Sequence, residues 1–136
     1  MRIVQPHELA ETWGKVRRWI EEAIEYGQGD EDADDVLIGL ARGIYCLWYE
    51  PDEFAGVVQV FRHPRQTVAT VLYAGGDSNV LMKMKAAILK EGIEWCRANG
   101  ITCIRVFGRE GWERVLGIPR KGIVMQLDLR AQGGLQ

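Results

Sequence analysis

Several familiar catalytic and compartment signals are missing from this sequence, and each absence narrows what the chain can be. Histidine occurs twice in 136 residues. His7 opens the first helical pattern and His63 sits in a turn among arginines, positions where surface imidazoles are ordinary. The three cysteines, Cys46, Cys96 and Cys103, lie in apolar runs with no CxxC spacing and no histidine beside them. Buried, reduced thiols are therefore expected, and not a disulfide framework, a metal site or a nucleophile. No metal is expected either, because the acidic stretch Asp30 to Asp35 lacks the glycine and terminal glutamate of a calcium loop. A Walker loop, a dinucleotide GxGxxG, a GxSxG elbow and a zinc spacing are all absent, which leaves phosphotransfer, dehydrogenase and hydrolase readings unsupported. No apolar run approaches the ~20 residues that a bilayer span requires, and no signal peptide precedes the first helix. A soluble protein of the cytoplasm, without membrane contact, is the expectation.

What is present suffices for one core. Hydrophobic residues make up 47% of the chain, five of them tryptophan, and no Pro/Gly/Ser-rich linker divides it. A single domain over residues 1–129 with a flexible tail at 130–136 is expected. The formal net charge is −2, yet it is unevenly spread. Thirteen acidic and five basic residues give −8 over residues 1–60, while six acidic and twelve basic residues give +6 over residues 61–136. The second half can attract a phosphate-bearing ligand, or its charges can simply be solvated. Arg62, His63 and Arg65 cluster in one turn, and Arg105, Arg109, Arg114, Arg120 and Lys121 late in the chain. Overall acidity and the lack of an aromatic-interleaved basic stripe disfavour nucleic acid as a partner.

Met1 to Val4 reads as a short strand, followed by Leu9, Trp13, Val16, Ile20 and Ile24 at helical spacing, a helix over His7 to Tyr26. Gly27 and Gly29 end it. The acidic stretch then leads into a second helix through Val36, Leu37 and Leu40, its carboxylates facing the positive end of the helix dipole. Ile44 to Tyr49, Phe54 to Phe61 and Thr67 to Tyr73 are β-rich runs separated by Glu50-Pro51-Asp52 and by Arg62 to Gln66, a three-stranded antiparallel meander. These strands are apolar at most positions, so both faces of the sheet are expected to be covered. After Ala74-Gly75-Gly76-Asp77-Ser78 the period changes. Leu81, Met84, Ile88, Gly92 and Trp95 share a helical face that Met82, Leu89, Ile93 and Cys96 extend, as far as Ala98, with Asn99-Gly100 as the cap. Ile101 to Phe107 reads as a strand parallel to the one before the helix. Gly108 to Leu116 suits a short helix, and Gly122 to Leu129 a final strand.

This order, strand, two helices, meander, glycine-containing turn, long helix, strand, short helix and strand, resembles the GNAT acyltransferases over nearly the whole chain. It is similar in particular to the short, divergent members found in tailed bacteriophages. The resemblance implies an α/β fold whose central mixed, mostly antiparallel sheet carries helices on both faces. It also implies an acyl-CoA-dependent N-acyltransferase that moves an acetyl group to an amine-bearing small molecule or protein in a bacterial or phage-infected cytoplasm. In the family the pyrophosphate of acetyl-CoA is held by backbone N–H groups at the start of the long helix, as physics favours for any such terminus. The family's Arg/Gln-x-x-Gly-x-Gly/Ala loop falls here on Tyr73-Ala74-Gly75-Gly76-Asp77-Ser78. The resemblance thus assigns cofactor binding to Tyr73, Gly75, Gly76, Ser78, Asn79 and Lys83, with Lys85 nearby. Tyr73 replaces the family's Arg or Gln, and Asp77 would repel phosphates unless turned away. Asp77 or Ser78 as a plain helix N-cap explains the same segment without a ligand.

No catalytic residue is assigned. An attacking amine must lose a proton and a departing thiolate is eased by a donor. In the short helix Glu110 to Leu116, however, Arg114 or Val115 falls near the family's Tyr position. Glu50, Asp52 and Glu53 are the candidate bases of the meander, although turn solvation explains them equally. Tyr45, Tyr49 and Tyr73 can donate hydrogen bonds or serve the core. The alternative to an enzyme is a catalytically inactive GNAT-fold phage accessory or host-interaction protein, acting through an exposed aromatic such as Trp112 or Trp19.

Overall fold

The computed structural model describes residues 1–77 and 79–132. Its strands are β1 (Arg2–Ile3), β2 (Cys46–Glu50), β3 (Phe54–Arg62), β4 (Thr67–Gly76) and β5 (Cys103–Val106), side by side in chain order in one sheet. The first four are antiparallel, and β5 runs parallel to β4. A parallel strand needs a crossover. It is supplied by α3 (Val80–Ala87), a π-helical turn (Ile88–Gly92) and α4 (Ile93–Ala98), which follow one another without a break. On the other side α1 (Leu9–Ile24), entered through a 3-10 turn at Pro6–Glu8, is followed by α2 (Ala33–Ala41). Two short helices, α5 (Trp112–Leu116) and α6 (Leu129–Gln132), come after β5.

Two apolar layers sandwich the sheet, as the apolar strands predict. Leu47, Tyr49, Ala55 and Val57 meet Trp13, Val16 and Ile20 of α1 and Val36 of α2. Their neighbours Trp48, Val58 and Val71 meet Met84, Ile88 and Cys96 of the crossover helices on the opposite face. This is the period-two alternation of a pleated strand. Each fully buried aliphatic side chain contributes roughly 1.5–3 kcal/mol. In the crossover the buried residues Met84, Ile88, Gly92 and Cys96 recur every fourth position, and the extra residue of the π turn keeps that row against the sheet. Gly92 lets the helix pack closely there, since a Cβ would lie 3.3 Å from the Trp48 indole, which also meets Trp95 edge-on at 5.7 Å. Met82 and Leu89, expected to extend this stripe, are instead 58% and 55% exposed. The fully buried face is one row wide, flanked by the half-buried Leu81 and Trp95.

The acidic stretch behaves in part as expected. Asp35 N–H donates to Asp32 Oδ1 at 2.9 Å and Asp32 N–H to Asp35 Oδ2 at 3.0 Å, a reciprocal cap on α2 that stabilises it by ~1 kcal/mol. At the end of α4, Asn99 Nδ2 donates to Trp95 O at 2.8 Å and Gly100 takes φ +70°, the left-handed conformation that favours glycine.

The expected final strand over Gly122 to Leu129 does not form; residues 118–128 have no regular structure and leave β5 as a four-residue sheet edge. Ile123, Val124, Met125, Leu127 and Leu129 stay exposed. Alternation shows only what a strand could bury, whereas a strand also needs a partner edge in reach. Gly117 turns the chain at φ +69°, and Gln126 Nε2 then donates to Gln28 O at 2.9 Å, on the far side of the cleft described below. Of the expected flexible tail, residues 133–136 lie outside the described residues.

Candidate active site

β4 and β5 pair from Val68–Cys103 to Val71–Val106, and Phe107 N–H donates to Val71 O at 3.0 Å. Beyond that point no pairing joins them. Where they part, a cavity of about 490 Å³ opens, walled by the end of α1, the α1–α2 loop, β3, β4 and the chain after β5. That volume suits a small ligand.

A β-bulge shapes the wall. Val58 faces Val71 but Val57 faces Tyr73, so Leu72 is the extra residue. The insertion flips the side-chain alternation: Val71 and Ala74, three apart, both enter the crossover-side core, while Tyr73 turns to the α1 side. Bulges re-aim side chains in this way. Tyr45, just before β2, packs against that same α1-side cluster.

Both phenols converge on one carboxylate. Tyr73 O–H donates to Glu31 Oε1 at 2.8 Å, and Tyr45 O–H lies 3.1 Å from both Glu31 oxygens. A glycine makes room for one ring, since a Cβ on Gly39 of α2 would lie 2.5 Å from the Tyr45 ring. Burial, reinforced by the hydrogen bond to Glu31, pushes the Tyr45 phenol up to about 12 and raises Tyr73 further still. Both therefore remain protonated donors at neutral pH. Each carboxylate oxygen has two lone pairs, so Glu31 retains acceptor capacity toward the cavity.

The lining also carries a cation. The Arg109 guanidinium carbon lies 3.5 Å from the centroid of the Tyr26 ring and 5.5 Å from the Trp112 ring. Trp112 itself is seated on Gly108, where a Cβ would come within 2.5 Å of the indole.

Of the residues expected to hold a cofactor, Tyr73 lies in the cavity with its hydroxyl on Glu31. Gly75 and Gly76, expected as flexible loop residues, are instead pinned: a Cβ on Gly75 would lie 2.6 Å from Trp19 O, and one on Gly76 2.2 Å from Glu53 O. They let the end of β4 close against neighbouring backbone. Ser78 lies outside the described residues. Asn79, at φ +64°, precedes α3 without a side-chain cap bond. Asp77 does not cap the helix; its Oδ1 pairs with Lys83 Nζ at 2.8 Å, so the expected phosphate-binding lysine is matched by a carboxylate of its own segment. This pairing raises the Lys83 ammonium above its ordinary value.

The carboxylates expected as bases lie elsewhere. Glu50 pairs with the Met1 amine, Asp52 takes a left-handed turn conformation, and Glu53 O accepts Asp77 N–H at 3.2 Å. Trp112 and Trp19, the expected exposed aromatics, are half-buried against the two apolar layers. The thiols are free, and burial pushes Cys46 and Cys96 up to about 11, away from nucleophilic use. Glu31 was not anticipated. Its only local signal is its place one residue before the capping Asp32, outside the box, while its partners lie 14 and 42 positions away.

No family model and no curated protein matches this sequence, but solved structures do. An aminoglycoside acetyltransferase from an uncultured soil metagenome, solved with sisomicin, superposes with a TM-score of 0.64 at 11% identity, covering 93% of this chain and 92% of that one. A predicted acetyltransferase from Clostridium acetobutylicum, solved with acetyl-CoA, gives 0.63 at 12% identity over 98% and 97% of the two chains. An acetyltransferase from Trypanosoma brucei gives 0.58 at 14% identity over 94% and 97%. At such identities the likeness is one of fold. Five-stranded mixed sheet, helices on both faces and crossover all agree with it: the chain has the GNAT-like fold of these acetyltransferases.

Proposed function

We propose that the chain is an acyl-CoA-dependent N-acyltransferase that transfers an acetyl group to an amine. The observation that carries this reading is Glu31, held by two protonated phenols in a cavity that opens where β4 and β5 separate. An amine enters as an ammonium and attacks only after losing a proton, and a fixed carboxylate both attracts the cation and accepts that proton, directly or through one water. Tyr45 and Tyr73 are better suited to orienting Glu31 than to protonating a thiolate, since phenols so resistant to ionisation are weak acids. Acetyl-CoA, when bound, supplies the activated thioester. The α3 N-terminus after Asn79, whose own side chain makes no cap bond, and Lys83 are the groups proposed to hold its phosphates, with Ser78, adjacent in sequence, as a further candidate. Gly75 and Gly76 support this by fixing where β4 ends. Length and element order further support placing the chain among the short phage-type members, acting in the cytoplasm. Among the described residues, no helix is long and apolar enough to cross a membrane.

A second reading, an inactive protein that works by contact with others, is favoured by the Asp77–Lys83 pair at the cofactor end. Isothermal titration with acetyl-CoA separates the two, with CoA and ATP as controls for generic phosphate binding. Micromolar binding specific to CoA is expected. No binding at millimolar ligand would overturn the enzyme reading in favour of the second.

A further inference from the structure

Both a carboxylate, Glu31, and a guanidinium, Arg109, line the cavity, and the acyltransferase reading uses only the first. Arg109 forms no ion pair with any described residue, although the chain is acidic overall and Asp30 and Glu31 line the same cavity. Its guanidinium is instead stacked at 3.5 Å on the face of Tyr26, with the Trp112 ring also near. Stacking occupies the faces of a guanidinium and fixes its plane, while the N–H donors lie in that plane. A stacked arginine thus keeps its donor edge free and already oriented, the geometry that binds a carboxylate through two parallel hydrogen bonds. Glu31 is fixed in the same manner, by Tyr45 and Tyr73. The lining also includes the apolar side chains of Phe61, Leu72 and Phe107, alongside Gln28 and Gln59.

We infer that the acceptor is a small zwitterion, an α-amino acid with an apolar side chain, whose ammonium meets Glu31 and whose carboxylate meets Arg109. This rests on the acyltransferase reading for its chemistry, but the recognition is a matter of binding and can be tested apart from turnover. A site with only Glu31 would favour any amine and would hold a polycation best. Adding Arg109 rewards a carboxylate on the same carbon as the ammonium and penalises a second cation there.

The test is isothermal titration of the purified chain with L-phenylalanine and L-leucine, each compared with its carboxamide and with the decarboxylated amine. Both amino acids are expected to bind at least about tenfold more tightly than their carboxamides, since each comparison removes a charge-assisted bond to Arg109. Arg109→Gln is expected to abolish that preference while leaving amine binding in place. Glu31→Gln is expected to weaken amino acid and amine alike. Thermal melts of both variants establish that they are folded, and the comparison within the native protein stands without them. Equal binding of amino acid, carboxamide and amine would overturn the zwitterion inference and leave the acyltransferase reading intact. No binding of either amino acid at millimolar concentration would overturn it too. Failure of acetyl-CoA to bind would instead strike the acyltransferase reading alone.

Discussion

Residues 75–83 and the cleft between β4 and β5 are neighbours in the chain, and the structure treats them oppositely. The first stretch holds the glycines and lysine of an anion-binding loop, yet its glycines are filled by the backbones of Trp19 and Glu53 and its lysine is paired with Asp77. The second has no recognisable motif, yet it gathers a hydrogen-bonded carboxylate, a stacked arginine and apolar side chains around open space. Glycine in a loop signals that something approaches closely. Only the surroundings reveal whether that is a ligand or the protein's own backbone.

The sharpest test of this contrast is at Gly76. Gly76→Ala puts a methyl 2.2 Å from Glu53 O, where backbone must move, and is expected to destabilise the fold by about 3 kcal/mol or more in urea denaturation. Gly14→Ala, in mid-helix with nothing within 4 Å of the new methyl, is expected to stabilise by about 0.5–1 kcal/mol. Equal effects at the two sites would mean that β4 does not end against Glu53 as described.

At the open site the effect is expected in rate. Glu31→Gln should lower kcat by about 100-fold with acetyl-CoA and an amine acceptor, the usual contribution of a positioned general base. Stability should change little, because the two phenols can still donate to an amide oxygen. A kcat within twofold of the native value would remove Glu31 from the proton-accepting role. Tyr73→Phe should cost less, about tenfold in kcat, since Tyr45 still holds the carboxylate.

The phenols also set an alkaline limit. Tyr45 ionises near 10 when unfolded and at about 12 in the folded protein. The folded state therefore binds the proton more tightly; its contribution is complete below 10 and is lost as pH rises toward 12. Urea midpoints measured across that window should fall less steeply for the Tyr45→Phe/Tyr73→Phe double variant than for the native protein. An unchanged slope would mean that the phenols are not buried against Glu31.

The smallest effect belongs to the closed segment. Asp77→Asn frees Lys83 and removes a negative charge near the start of α3, and should tighten acetyl-CoA binding by a few-fold at low salt. If affinity falls instead, Asp77 serves the site.

Apolar spacing made most of the fold legible. The repeat from Leu9 to Ile24, the three β-rich runs and the helical face from Leu81 to Trp95 each became the kind of element they suggest, because an element must bury one periodic face whatever covers it. Gly122 to Leu129 shows the limit, for it alternates like a strand without pairing as one. The α2 cap at Asp32 and Asp35 was readable because its partners are three residues apart. Glu31, one position earlier, was not, because its hydrogen bonds reach Tyr45 and Tyr73.

The amino-acid sequence by itself determined the order of helices and strands as far as α5, the meander and crossover, and the covering of both sheet faces, all consequences of local periodicity. Only the tertiary structure decided that Leu72 bulges and so turns Tyr73 toward Glu31, that Arg109 stacks on Tyr26, and that Gly75 and Gly76 are closed by backbone. These depend on which distant residues meet, and pairings across 40 or 80 positions leave no trace in spacing along the chain.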